Sequence, residues 1–134
     1  MNIQKFEDLD IWKVGLEIGN SIYNLTKKRE IYIDMIMRNQ MRRAAISISS
    51  NIAEGFERDS NKDFVRFLRI SMGSLSELKT QLYLCEKQNY ITLVEIQTLL
   101  DEMEILSKRM GKLIQYLRHN DYKKETNNQK LKTI

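Results

Sequence analysis

Phe64, Leu68, Ser71, Leu75, Leu78, Leu82 and Cys85 follow one another at alternating steps of four and three. Ile96, Leu99, Met103, Leu106, Met110, Leu113 and Leu117 keep the same rhythm over the next stretch. Steps of this kind place one apolar seam along a helix, so each set predicts a long amphipathic helix. The starts are marked too. Ser60 with Asp63 resembles a capping box, and Thr92 with Glu95 is a proper one, in which hydroxyl and carboxylate each satisfy a backbone N–H. Asn89 between the two segments suits a left-handed helix stop.

Two further helices precede these. Leu9, Trp12, Leu16, Ile22, Tyr23 and Leu25 predict one over roughly Asp8 to Lys27. Met37, Met41, Ala44, Ile48, Asn51 and Gly55 form the seam of another, roughly Ile31 to Gly55. The predicted connections, Lys28–Glu30, Phe56–Asp59 and Asn89–Ile91, are short, and short links between long helices make neighbours antiparallel. The expected fold is therefore all-α, an antiparallel up-down-up-down four-helix bundle over residues 1–118. Residues 119–134 read as a polar basic tail without a seam.

Composition agrees with a helical chain: 134 residues, no proline and only five glycines. Residues 1–10 carry three acids and no apolar run, and no segment approaches the ~20 apolar residues of a membrane span. A single cysteine rules out an internal disulfide and points to a reducing cytoplasm. The net charge of +4 mostly describes the tail. Residues 118–134 hold five bases and two acids, leaving 17 bases against 16 acids elsewhere. Any electropositive surface on the body must come from placement.

Ala44 to Ala53 runs without one charged residue in a chain that is 30% charged. With Met37, Met41, Ala44 and Ile48 inward, the opposite face carries Ile46, Ser49, Ser50 and Ala53, where a solvated helix would carry Lys and Glu. The segment Ile70–Ser76 is also uncharged, and folding back at the 56–59 turn brings the two bands together. A helix that is apolar or small all round is covered all round, and one bundle covers one side. Ile46, Ser49, Ser50, Ala53, Ile70 and Gly73 are thus the expected oligomer interface. Asn51, with Ser47 and Glu54 beside it, reads as a polar register device in a partly buried face. Glu77 falls level with Gln40, within expected reach of Arg42 or Arg43.

Ser47-Ile48-Ser49-Ser50-Asn51-Ile52-Ala53-Glu54-Gly55, preceded by Gln40-Met41-Arg42-Arg43-Ala44-Ala45, resembles the signature of the bacterial four-helix-bundle proteins encoded in 23S rRNA intervening sequences. Phe6-Glu7-Asp8-Leu9-Asp10-Ile11-Trp12, Phe64-Val65-Arg66-Phe67-Leu68 and Gly73-Ser74-Leu75-Ser76-Glu77-Leu78 are similar in register. The resemblance covers about residues 6–117. Ser49 stands where that family often has proline, which implies a straighter helix here. The resemblance implies a homo-oligomer, pentameric in family members, with nucleic-acid association proposed and no established enzymatic activity. A distant similarity to accessory proteins of diversity-generating retroelements, which bind a reverse transcriptase, implies a protein partner as the alternative.

Little points to chemistry. A di-iron bundle needs inward Glu residues and Glu-x-x-His pairs, but the only histidine is His119, with Tyr116 three residues before it. Cys85 lies on a seam with no histidine to activate it, and Gly111-Lys112-Leu113 lacks the Ser/Thr of a phosphate loop. No metal, cofactor or enzymatic activity is expected. Many bases simply close helices, as the macrodipole favours: Lys27, Lys28 and Arg29, then Lys108, Arg109, Lys112 and Arg118. Lys62, Arg66 and Arg69 do not fit that account, since they sit where acids are favoured. Nor do Arg38, Arg42 and Arg43, with no acid between Asp34 and Glu54. These six are the expected nucleic-acid-binding residues, for RNA or DNA, multiplied into a ring by cyclic symmetry.

Overall fold

The computed structural model describes residues 3–120, and these are all-helical, without a strand. A 3₁₀ turn, Phe6–Asp8, leads into α1 (Asp10–Leu25). The single turn α2 (Arg29–Tyr32) precedes three long helices, α3 (Met35–Phe56), α4 (Asn61–Lys87) and α5 (Leu93–His119). The tail expected over 119–134 begins with His119, the last residue of α5, and from residue 121 lies outside the described residues.

The α4 and α5 seams are buried at every position named from the spacing, joined by Ser74 on α4 and by Leu100 and Ile114 on α5. The Thr92–Glu95 capping box is formed, and Asn89 takes φ 61°, the left-handed stop. At Ser60 only one half of the expected box is seen. Its hydroxyl accepts from the Asp63 N–H at 3.1 Å, while the Asp63 carboxylate lies 3.7 Å from Arg66.

The helices between Asp8 and Gly55 differ more from expectation. The inward residues of α1 are Ile11, Gly15, Ile18 and Ile22, whereas Leu16 and Tyr23 are exposed. The seam passes through a glycine, which a count of apolar side chains skips. A Cβ at Gly15 would stand 3.3 Å from Ile48 Cγ2, so the bare backbone lets α3 come close. The helix expected from Ile31 is broken at Ile33–Asp34. Asp34 leaves the helical region and accepts from the Met37 N–H at 3.1 Å, capping α3 as short acidic side chains do.

α3 packs against both α1 and α4, and α5 packs against α4 and α1. The buried face of α3, Met41, Ala44, Ala45, Ile48, Ile52, Gly55 and Phe56, is wider than one seam, while Met37 and Asn51 are only half-buried. This corrects the reading of the uncharged run. Part of it is covered within the chain, by α1 on the Ala45 and Ser49 side. α3 and α4 run antiparallel: Ser71 Oγ donates to Ile48 O at 2.8 Å, and Ser74 Oγ to Ser47 Oγ at 2.7 Å. The Phe56 and Phe64 rings meet edge-to-face near the turn, 6.1 Å apart.

Candidate assembly and nucleic-acid interfaces

The motif Asn51–Gly55 is accounted for by packing. Asn51 Nδ2 donates to Ser47 O and Oγ, both at 2.8 Å, and the Ser74 hydroxyl extends the chain to α4. Ile52 is wholly buried, and Glu54 pairs with Arg58 one turn on. At Gly55 a Cβ would fall 2.8 Å from Phe67 Cβ and 2.9 Å from Phe64 Cδ1. The expected polar core of Ser47, Asn51, Glu54 and Glu77 thus divides. Ser47 and Asn51 are joined as a half-buried network. Glu54 and Glu77 are exposed, and Glu77 accepts from Gln81 within its own helix instead of meeting Arg42 or Arg43. Solvated carboxylates one turn from a local partner have no cause to enter the core. Ser71, buried against Ile48 O, is the polar core residue that seam counting treated as a small hydrophobe.

The uncovered part of the uncharged band is an outer strip of α3 and α4. Ile46 is 50% exposed and Ile70 43%, Ser50 and Gly73 are exposed, and Ser49 and Ala53 are half-buried. A Cβ at Gly73 would meet nothing within 4 Å, so nothing in the described chain needs this glycine. Leu16 and Tyr23 join Ile46 and Ser49 around a groove of about 510 Å³ between α1 and α3. Both are among the apolar residues from which the first helix is read, and their exposure beside Ile46 enlarges the apolar surface.

The basic residues do not form one cluster within the chain. With Ser47 beside Ser74, Ile48 beside Ser71 and about 1.5 Å of rise per residue, Arg42 and Arg66 stand roughly 18 Å apart along the bundle. Arg38 donates to Tyr32 O at 3.0 Å with its guanidinium over the Tyr32 ring, binding α2 to α3. Arg42 donates to the buried Thr26 hydroxyl at 2.8 Å and covers Tyr23. Both are half-buried and engaged inside the fold, each ending where it can satisfy the polar groups of a helix link. Arg43, Lys62, Arg66 and Arg69 are exposed. Arg66 lies over Phe67, as does Arg58, at 4.4 and 4.8 Å. Lys62 and Arg69 instead line a groove of about 510 Å³ together with Arg118 of α5. Arg118 had a sufficient explanation at a helix C-terminus, so sequence alone did not connect it to the other two.

At the other end of the bundle, Tyr90 Oη donates to Asp34 Oδ2 at 2.9 Å, joining the α4–α5 turn to the cap of α3. This hydrogen bond, with burial next, raises the Tyr90 hydroxyl above its usual range. Lys28 lies 3.2 Å from Glu95 and holds that carboxyl below its usual range, with Thr92 assisting. Cys85 is wholly buried 3.7 Å from Met41 Sδ, and burial, then the Asp34 charge, push its thiol up to about 11, the opposite of an activated nucleophile. Among the described residues no three His, Cys, Asp or Glu side chains converge as a metal site, and no helix is long and apolar enough to cross a membrane.

The described residues thus form an all-helical bundle with a charge-free outer strip and cations at both ends. The chain belongs to the 23S rRNA-intervening sequence protein family, whose model matches residues 7–112. It is also similar to a crystal structure from Bacteroides thetaiotaomicron, a protein of unknown function from the S23 ribosomal protein family. The identity is 26% and the TM-score 0.73, over 78% of this chain and 97% of that one. Curated proteins give no match.

Proposed function

We propose that this protein is a non-enzymatic homo-oligomer that binds nucleic acid through its phosphates. In this reading the four long helices form an antiparallel up-down-up-down bundle. Copies meet through Ile46, Ser49, Ser50, Ala53, Ile70 and Gly73, with Leu16 and Tyr23 widening the contact. The family resemblance implies five copies in a ring.

The observation that supports nucleic-acid binding is the placement of Lys62, Arg66 and Arg69. Lys62 sits in the first turn of α4, where the macrodipole favours acids, Arg66 and Arg69 follow in the next two turns, and all three are exposed. Asp63 stands 3.7 Å from Arg66, while among the described residues Lys62 and Arg69 take part in no salt bridge and are left for another use. Phe64 is buried and the Phe67 ring already carries the Arg58 and Arg66 guanidinium groups, so stacking on bases contributes little and base preference is weak.

Anisotropy of a labelled RNA duplex tests the reading. Affinity should fall with salt at a log–log slope of about −3 to −6, for about four to seven phosphates neutralised. Binding should survive removal of residues 121–134 and fail in Arg66→Glu/Arg69→Glu. Loss on tail removal alone would mark generic polycation behaviour. Absence of binding at low salt would favour the second reading, a protein-binding scaffold. That reading is supported by the apolar end formed by Ile33, Ile36 and Val94, exposed by 63%, 80% and 88%.

A further inference from the structure

We propose that the groove between the start of α4 and the end of α5 is a phosphate-binding site, with Lys62, Arg69 and Arg118 as its ligands. The proposal deepens the nucleic-acid reading by naming where one phosphate is seated. The groove holds about 510 Å³ and is lined by these three cations with Asn61, Val65, Leu117 and Asn120. Among the described residues no carboxylate lines it, and none of the three cations takes part in a salt bridge.

Two features favour an anion there. The end of α5 presents carbonyls, the negative pole of its dipole, which alone would repel a phosphate. Two of those carbonyls, and the one that follows the helix, already accept: Asn61 Nδ2 donates to Leu117 O at 3.3 Å and to Asn120 O, and Asn120 Nδ2 donates to Tyr116 O. The same Asn61 bonds hold the two helix ends together, so Arg118 meets Lys62 and Arg69 across a fixed gap. Val65 and Leu117 supply apolar walls, beside which charge–charge attraction is less screened than in open water. Three cations lining one groove, with no acid among its described lining residues, suit a phosphate group, whether of a nucleic-acid backbone or of a free phosphate compound.

The test uses full-length wild type, Arg69→Gln, Arg118→Gln and, as a control that removes an equal charge from the exposed surface of α5, Lys112→Gln. Each is titrated with a labelled RNA duplex and, separately, with inorganic pyrophosphate followed by NMR. Each groove variant should weaken duplex binding about 5–10-fold and reduce the salt slope by about 1, with Lys112→Gln within about twofold of wild type. Pyrophosphate should shift the Asn61, Arg69 and Arg118 resonances, and not in the groove variants. If the duplex binds wild type and groove variants alike and pyrophosphate leaves the groove unshifted, the site is wrong while the nucleic-acid reading stands. If only pyrophosphate binds, at the groove, the site stands for a small phosphate compound and the nucleic-acid reading falls. If neither probe binds, both fall.

Discussion

Gly55 and Gly73 look alike in sequence, each small and each inside a helix, yet their surroundings are opposite. A Cβ at Gly55 would fall within 3 Å of Phe67 Cβ and the Phe64 ring. Phe67 Cβ is fixed to the α4 backbone, so the helices themselves would have to part. Gly55→Ala should therefore cost about 1–3 kcal/mol in urea unfolding, against the helix propensity that alanine brings. Gly73→Ala meets nothing within the described chain and should gain up to about 1 kcal/mol under the same assay at concentrations too low for assembly. Gly55 was placed on the seam from spacing alone because the α3 rhythm runs through it. Gly15 was missed for the complementary reason: an apolar count cannot register a contact made by backbone.

Helices whose buried residues keep one rhythm of apolar side chains were readable in full, and those packed through glycine and alanine were not. The α4 and α5 seams follow a single rhythm, and every named position is buried. α1 comes close to α3 at Gly15 and Gly19, so the buried arc of α3 widens to take in Ala45 and Ile52, which a single stripe leaves out. The break before α3 was hidden because Asp34 sits inside an apolar run, where period outweighs a lone cap signal. Asp34 caps Met37 with one oxygen and accepts from Tyr90 with the other. Asp34→Ala should cost about 1–3 kcal/mol, from the lost cap and the unpaired hydroxyl, and Tyr90→Phe less. The Tyr90 hydroxyl is raised above its ordinary value of 10.0, so the stability it lends is full below that pH and is lost as pH rises through the raised value. NMR titration of Tyr90 should show that value falling back in Asp34→Ala.

For the whole molecule, sequence disclosed that a face was left without charge but not what meets it, because the partner surface is written nowhere in one chain's periodicity. Ile46→Glu or Ala53→Arg would set an unpaired charge in the proposed contact and should convert the oligomer to monomers in light scattering on a sizing column. A wild-type monomer at micromolar concentration would remove the proposal. The basic residues were gathered into one patch by sequence proximity across a turn, and the length of the bundle undid that grouping. Arg42 and Arg66 are roughly 18 Å apart along the axis, and Arg42 is engaged with Thr26. The separation sets a minimum ligand length. At about 3.4 Å per nucleotide along one strand of duplex, a strand reaching from the Arg43 end of the bundle to the Arg66 end must run about five nucleotide steps. Fragments of two or three base pairs can engage one end only, so affinity should climb in a step, not smoothly, as the duplex is lengthened past that span.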